Sequence, residues 1–140
     1  MLAAGPLSAQ IAFTDVTDLS GINYVGESWG GSAGDYNGDG LTDIAVNNHR
    51  SKAALYLNLG GMRFQDEGGQ VAVWNSFPFS DQHGASWADW DGDGDQDLLV
   101  TQGARDPAQF LINDSGQLTD QISLFTFDEA NSGGRMPVWF

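Results

Sequence analysis

The stretch that decides the fold occurs twice in this chain, as GGSAGDYNGDG at residues 30–40 and as GASWADWDGDG at residues 84–94. Each copy ends in a run of Asp, Asn and Gly, and the two runs begin 54 residues apart (89 − 35 = 54). Self-similarity at a fixed spacing of this order is the signature of repeat proteins, in which each unit is one supersecondary structure. The chain is therefore predicted to be a tandem repeat.

The similarity continues beyond the aspartate runs. Residues 42–46 match residues 96–100, and both segments place an apolar run directly after an Asp. Residues 55–58 match residues 110–113 one position out of step, as a single inserted turn residue would produce. The repeated unit is thus longer than its aspartate run.

Each repeat is predicted to contain four short strands. In the first repeat, apolar or alternating runs lie near residues 29–34, 43–48, 53–58 and 62–66, and Gly, Asn and Asp separate them. No stretch shows a convincing 3.6-residue apolar period, so few helices are expected. The predicted fold class is all-β, and a unit of this size with four antiparallel strands resembles one blade of a β-propeller.

Partial copies flank the two repeats, since Phe13-Thr14-Asp15 resembles the Phe64-Gln65-Asp66 element and the last residues resemble the approach to an aspartate run. Propellers need about four to eight blades, so an incomplete propeller of about two full blades plus parts of two others is expected. The predicted division is a signal-peptide remnant or disordered terminus (1–10), the last strand of a preceding blade with a linker (11–28), the first repeat (29–82), the second repeat (83–132) and the start of a third (133–140).

Composition excludes several classes of function. The chain has 140 residues, 19 acidic against 5 basic, a formal charge of −14 and no cysteine. Without a run of Lys or Arg a phosphate-binding patch is not expected, so nucleic acid is excluded as a partner. Thiolate zinc sites are excluded, and no apolar run reaches the roughly 20 residues of a membrane helix, so membrane insertion is not expected.

The aspartate runs are predicted to be two calcium loops. Positions 1, 3, 5 and 9 of each nine-residue loop carry oxygen donors, and by analogy with other aspartate loops position 7 offers a backbone carbonyl. Calcium takes six to eight hard oxygen ligands, which such a loop supplies with water. The glycines at positions 4 and 6 permit the positive φ values of a tight wrap. The candidate ligands are Asp35, Asn37, Asp39, Leu41 and Asp43 in the first loop, and Asp89, Asp91, Asp93, Asp95 and Asp97 in the second.

Other interpretations of the loops were weighed. A single Asn-Gly-Asp-Gly would be an ordinary turn, but two nine-residue matches at one spacing argue against that. An EF-hand needs a Glu at position 12 and flanking helices, whereas Val46 and Val100 stand there inside strand-like runs. Magnesium is a weaker candidate because it seldom uses dedicated all-protein cages. The second loop, with Asp where the first has Asn37, is expected to bind calcium more tightly.

The loop pattern followed by an apolar strand resembles the FG-GAP and VCBS repeats of integrin-alpha-like propellers. Phe13-Thr14-Asp15-Val16-Thr17 and Leu55-Tyr56-Leu57-Asn58 are similar to the bacterial members associated with ASPIC/UnbV domains. The resemblance covers roughly residues 11 to 140, and it implies a seven-bladed propeller with calcium loops between the first two strands of a blade. The chain lacks the length for the remaining blades.

The other conspicuous side chains are interpreted as structural and not as functional. Core or inter-blade packing is favoured over sugar stacking for the aromatic side chains at positions 29, 36, 74, 87, 90 and 139. His83, Ser86 and Asp89 lack the motif of a hydrolase nucleophile, so no catalytic residue is assigned. His49 and Arg50 are expected in a solvated turn. Asn113-Asp114-Ser115 is interpreted as a turn rather than a glycosylation site.

The expected function is therefore that of a non-enzymatic, calcium-binding repeat module of a secreted or surface protein, located outside the cell or in the periplasm. Calcium would be structural, and a protein or a carbohydrate would be the ligand. One alternative is a non-catalytic appendage of a larger extracellular enzyme such as a polysaccharide lyase or hydrolase. Another is a fragment whose open blade edges pair with other chains.

Overall fold

A computed structural model describes residues 11–76, 81–103 and 108–124, which form eight strands in two four-stranded sheets. The first sheet contains β1 (Ser28–Gly34), β2 (Asp43–Asn48), β3 (Ala54–Asn58) and β4 (Phe64–Asp66). The second contains β5 (Gln82–Ala88), β6 (Asp97–Gln102), β7 (Gln109–Asp114) and β8 (Gln117–Asp120). The all-β prediction, with blades of four antiparallel strands that do not close on themselves, is confirmed.

Each sheet is an antiparallel meander in which strand order follows chain order. The four strands predicted in the first repeat are found within about two residues of their expected ends. The largest difference is at β4, which begins at Phe64 because the preceding residues form the turn. Gly60, Gly61 and Met62 all have positive φ there, a conformation that does not continue a strand.

The two repeats share a bulge at the same place. The register of β1 against β2 shifts between Ser28 and Gly30, and the register of β5 against β6 shifts between Gln82 and Gly84. The extra residue is Trp29 in one sheet and His83 in the other, and their ring centroids lie 4.6 Å apart. A bulge re-aims a side chain without ending the strand, so the repeated bulge brings these two residues together.

The core lies between the two sheets. Ala45 and Leu55 of the first sheet and Leu98, Val100 and Leu111 of the second are fully buried in one cluster. Alternate residues of a strand point to the same face, so one face of each sheet supplies these contacts. Hydrophobic burial between the sheets therefore holds the two repeats together.

Helical residues are few, as predicted. The connection between the sheets contains α2 (Ala72–Ser76), whose Trp74 is buried in the same cluster and donates from Nε1 to Gln109 Oε1 at 3.1 Å. A four-residue helix, α1 (Thr17–Ser20), precedes the first sheet. None of the helices in the described ranges has the length and apolar character needed to cross a bilayer.

The inner strands of the two sheets approach to backbone contact. A Cβ added to Gly30 of β1 would lie 2.1 Å from the His83 carbonyl oxygen of β5. Toward the outer side, α2 packs against β8 and fills the space between the sheets. The two sheets are thus closest at β1 and β5.

The segment 11–28 differs from expectation. Residues 11–16 form no strand, and the side chain of Phe13 is 95% exposed. A strand requires a neighbour to receive its backbone hydrogen bonds, and in the described part of the chain this segment pairs with none. Residues 1–10 and 133–140, and the end of the second repeat, lie outside the described residues, so the division of the chain stays a prediction.

Candidate metal centres

The two aspartate loops occupy equivalent places in the two sheets. Residues 35–42 connect β1 to β2, and residues 89–96 connect β5 to β6. All four loop glycines have positive φ: 71° and 83° at Gly38 and Gly40, and 78° and 103° at Gly92 and Gly94. Nothing lies within 4 Å of a Cβ built on any of them, so backbone conformation and not crowding accounts for glycine at positions 4 and 6.

The aspartate at position 9 of each loop is fully buried and joins the loop to the sheet. Asp43 accepts hydrogen bonds from the backbone N–H of Tyr36 at 2.9 Å and of Asn58 at 2.7 Å. Asp97 accepts from Trp90 N–H at 2.8 Å and Asn113 N–H at 2.9 Å. Each carboxylate oxygen retains a lone pair, because a carboxylate offers about four acceptor sites.

The aspartate at position 1 wraps the loop around itself. Asp35 accepts from the backbone N–H of Asp39 at 3.1 Å and of Gly40 at 2.8 Å. Asp89 accepts from Gly92 at 2.8 Å and Gly94 at 3.2 Å. These bonds hold the turn in the curvature that brings positions 1, 3 and 9 toward one another.

The second loop gathers its carboxylates most tightly. Oxygen atoms of Asp89, Asp91 and Asp97 all lie within 4.8 Å of one another, and no other group of three acidic, His or Cys side chains in the described ranges does so. Desolvation raises the pKa of the Asp91 carboxyl, and the charges of Asp93, Asp97 and Asp89 raise it further against the opposing effect of the Asp93 N–H. The loop therefore concentrates negative charge that a cation would neutralise.

The remaining predicted ligands are less convergent. In the first loop, Asn37 Nδ2 donates to Asp39 Oδ2 at 3.0 Å, and Asp39 Oδ1 accepts from Leu41 N–H at 2.8 Å. In the second, Asp93 Oδ1 accepts from the N–H of Asp95 at 2.9 Å. Calcium binding by the position 7 backbone carbonyls, those of Leu41 and Asp95, stays a prediction.

One carboxylate in the second loop has a contact that the spacing did not predict. Asp95 Oδ2 accepts from the Ser115 N–H at 2.7 Å, so this side chain bonds to the turn between β7 and β8. Two neighbours of the ligands were also missed: Gln96 and Asn113 bond across to the first loop. The sequence signal for Gln96 was its place between two predicted ligands, and that for Asn113 was its match to Asn58 of the first repeat.

The aromatic residues divide between packing and exposure. Trp74 is buried, Trp87 packs against the core and donates from Nε1 to Ser32 O of the first sheet at 3.3 Å, and Tyr36 packs beside it. Packing is thus confirmed for these three. Trp29 and Trp90 are 53% and 46% exposed, although Trp29 contacts the rings of His49 and His83 and Trp90 lies edge-on to Phe110. Trp139 lies outside the described residues.

The expectation that His49 lies in a solvated turn is wrong, whereas Arg50 is exposed as predicted. The His49 side chain is 12% exposed, with Nδ1 3.0 Å from Glu27 Oε2 and Nε2 3.0 Å from Asp81 Oδ1. Asp81 Oδ1 also lies 3.1 Å from His83 Nε2. The reason is the contact between sheets, which a single repeat does not contain.

No triad forms around His83. It lies near the start of β5 beside Asp81, whereas Asp89 follows the end of that strand. Asn113 is fully buried, with its side chain bonded inside the protein, which supports the turn interpretation over glycosylation.

The donor chemistry fits a hard divalent cation. Every side chain proposed as a ligand offers a carboxylate or amide oxygen, the donor type that calcium selects, and neither loop contains nitrogen or sulfur ligands of the kind that zinc prefers. Residues 35–100, which span both loops, match the family model described as an FG-GAP-like repeat. No curated protein matches the chain.

Proposed function

We propose that this protein is a calcium-stabilised repeat module that presents a binding surface for a protein or a carbohydrate. The match of residues 35–100 to the model of an FG-GAP-like repeat supports this proposal. One Ca²⁺ would be held by each loop, with Asp35, Asn37, Asp39 and Asp43 as side-chain ligands in the first. Asp89, Asp91, Asp93 and Asp97 would serve in the second. Calcium would neutralise the carboxylates and fix the loop that joins two neighbouring strands.

The observation that carries this proposal is the approach of Asp89, Asp91 and Asp97 to within 4.8 Å of one another. Carboxylates at this separation repel one another, and this repulsion adds to the desolvation that raises the pKa of Asp91. Two of the three are exposed and are held together only by the loop backbone. A bound cation turns the repulsion into attraction, so the loop gains stability when it is loaded.

The expected stabilisation follows from mass action. A ligand that binds only the folded state adds RT ln(1 + [L]/Kd), about 2.7 kcal/mol at a ligand concentration 100 times Kd. Extracellular calcium modules have Kd values of about 10⁻⁴ to 10⁻³ M. Loops of that affinity would be filled outside a cell and empty in the cytosol, so the proposal includes a secreted, periplasmic or surface location.

The binding surface is proposed at the end of the sheets opposite the calcium loops. There the half-exposed Trp29 packs between His49 and His83, at centroid distances of 4.3 and 4.6 Å, with the exposed carboxylate of Glu27 beside them. Exposed aromatic and polar groups on a rigid sheet are typical of protein and carbohydrate binding sites. The role is proposed to be non-catalytic, as is general for repeats of this family.

Thermal unfolding with calcium, with magnesium and with a chelator tests the proposal. The parent chain should melt highest in calcium, and Asp39→Ala and Asp93→Ala should each lose part of that gain. Asp18→Ala, which changes an aspartate outside both loops, should respond to calcium as the parent does. Equal melting temperatures of the parent in all three conditions would contradict calcium binding.

A further inference from the structure

The two loops are joined by a side chain that crosses between the repeats. Gln96, at position 8 of the second loop, accepts a hydrogen bond at its Oε1 from the backbone N–H of Asp35, position 1 of the first loop, at 3.0 Å. Gly34 makes room for this contact, since a Cβ built there would lie 2.5 Å from the same oxygen. The start of one loop is thus fixed by the end of the other.

A second link is made by the fully buried Asn113. Its Nδ2 donates to the carbonyl of Gln96 at 3.1 Å and to the carbonyl of Tyr36 at 2.8 Å, so one amide group bonds to both loops. The Tyr36 hydroxyl completes the contact by donating to the carbonyl of Gly116, in the turn after β7.

These bonds form a continuous path between the two buried position 9 carboxylates. Asp43 Oδ2 accepts from Tyr36 N–H at 2.9 Å, the Tyr36 carbonyl accepts from Asn113 Nδ2 at 2.8 Å, and the Asn113 N–H donates to Asp97 Oδ1 at 2.9 Å. Only two residues, one from each repeat, separate the candidate ligands. A shift of either carboxylate therefore acts on a residue that is hydrogen-bonded to the residue held by the other carboxylate.

From this arrangement we propose that the two loops bind Ca²⁺ cooperatively, with Gln96 and Asn113 as positioning residues that transmit the occupancy of one loop to the other. The inference rests on the proposed calcium function. A cation draws the carboxylates of its loop together and orders the loop backbone. When the second loop is ordered, Gln96 is fixed where it holds the Asp35 N–H, so less ordering remains for the first loop when it binds.

Linkage requires the effect to be reciprocal, so filling the first loop must strengthen binding at the second by the same factor. Couplings of this kind commonly change an affinity about 5-fold or more. We expect a factor of about 5 to 10 here. The coupling should depend on the contacts between loops and not on the ligands themselves.

Calorimetric titration with Ca²⁺ of four chains tests this: the parent, Asp93→Ala, Gln96→Ala and the double variant. The second loop is expected to fill first, so Asp93→Ala removes the occupied neighbour, and the calcium affinity of the first loop should then fall about 5- to 10-fold from its value in the parent. In the Gln96→Ala background, which keeps only the Asn113 link, Asp93→Ala should lower that affinity by a clearly smaller factor. Thr42→Ala, at position 8 of the first loop, should keep the coupling.

The outcomes separate this inference from the proposed function. Calcium binding at the first loop with equal affinity in the parent and in Asp93→Ala would overturn cooperativity and leave the calcium function standing. Absence of calcium binding in every chain, each shown by circular dichroism to be folded, would overturn both. If Gln96→Ala does not fold, Gln96→Asn replaces it, because the side chain shortened by one methylene group no longer reaches the Asp35 N–H.

Discussion

Replacing Asp97 by Ala should destabilise the protein even when no metal is available, because this carboxylate bonds to the sheet as well as facing the loop. Asp97 is fully buried and accepts hydrogen bonds from two backbone N–H groups, of Trp90 at 2.8 Å and of Asn113 at 2.9 Å. The variant leaves both donors without this acceptor. Asp91, an exposed member of the same trio, is the matched control.

The magnitude follows from the two lost bonds. A buried donor left without its acceptor costs about 1–3 kcal/mol, and the Asn113 N–H is such a donor. The Trp90 N–H is only partly buried, so we assign it about 1 kcal/mol. The sum is about 2–4 kcal/mol, which for a chain of this length lowers the melting temperature by about 8–16 °C. Asp91→Ala removes an exposed carboxylate and an exposed hydrogen bond from the Asp93 N–H at 3.2 Å, and it should change stability by about 0.5 kcal/mol or less.

The assay is thermal unfolding followed by circular dichroism, first in chelator and then in millimolar calcium. In chelator, Asp97→Ala should melt well below the parent and Asp91→Ala close to it. In calcium, both variants should lose the part of the stabilisation that the second loop supplies. If the two variants melt at the same temperature in chelator, the assignment of a separate structural role to Asp97 is wrong.

Three further predictions concern the rest of the fold. Gly34→Ala should destabilise the protein by about 1–3 kcal/mol in chemical denaturation, because its Cβ would lie within 2.6 Å of side-chain atoms of the second repeat. Gly69→Ala, with open space around it, should be near neutral, and equal effects of the two variants would contradict this. Trp74→Ala should lower the free energy of unfolding by about 3–5 kcal/mol in the same assay, since it removes a buried side chain and its hydrogen bond to Gln109. A decrease below about 1 kcal/mol would contradict the packing described. Burial, together with nearby Asp66 and Tyr24, raises the pKa of the Tyr56 phenol. The folding stability that this group contributes is therefore present below a pH of about 10 and is lost as the pH rises through the raised pKa. Ultraviolet titration of the parent should show this ionisation coinciding with alkaline unfolding, and a fully folded tyrosinate form would contradict the prediction.

The strands and loops were accessible from sequence because their signals are local and occur twice. Asp, Asn and Gly mark the turns in each repeat, and the apolar runs between them alternate as strands do. Because the pattern occurs twice, each copy supported the interpretation of the other. Glycine at positions 4 and 6 has a purely conformational cause, so its effect on the backbone could be predicted from residue type alone.

The contacts between repeats could not be predicted in this way. Gln96 and Asn113 each bond to the other repeat, and His49 contacts Asp81, directly before β5. These partners depend on how the two sheets are placed. Spacing within one repeat carries no information about that placement. The segment around Phe13 forms no strand in the described residues, because similarity to a strand segment does not supply the neighbour that a strand needs.

The close approach at Gly30 has a consequence for curvature. The inner strands touch through a residue without a side chain, and the outer side is filled by the Trp74 helix, so the pair of sheets is a wedge with its thin edge at β1 and β5. Wedges stacked in the same sense bend an array toward the thin edge. The absence of a side chain at Gly30 therefore permits this wedge, and any side chain there would force β1 and β5 apart, because its Cβ would lie 2.1 Å from the His83 carbonyl oxygen.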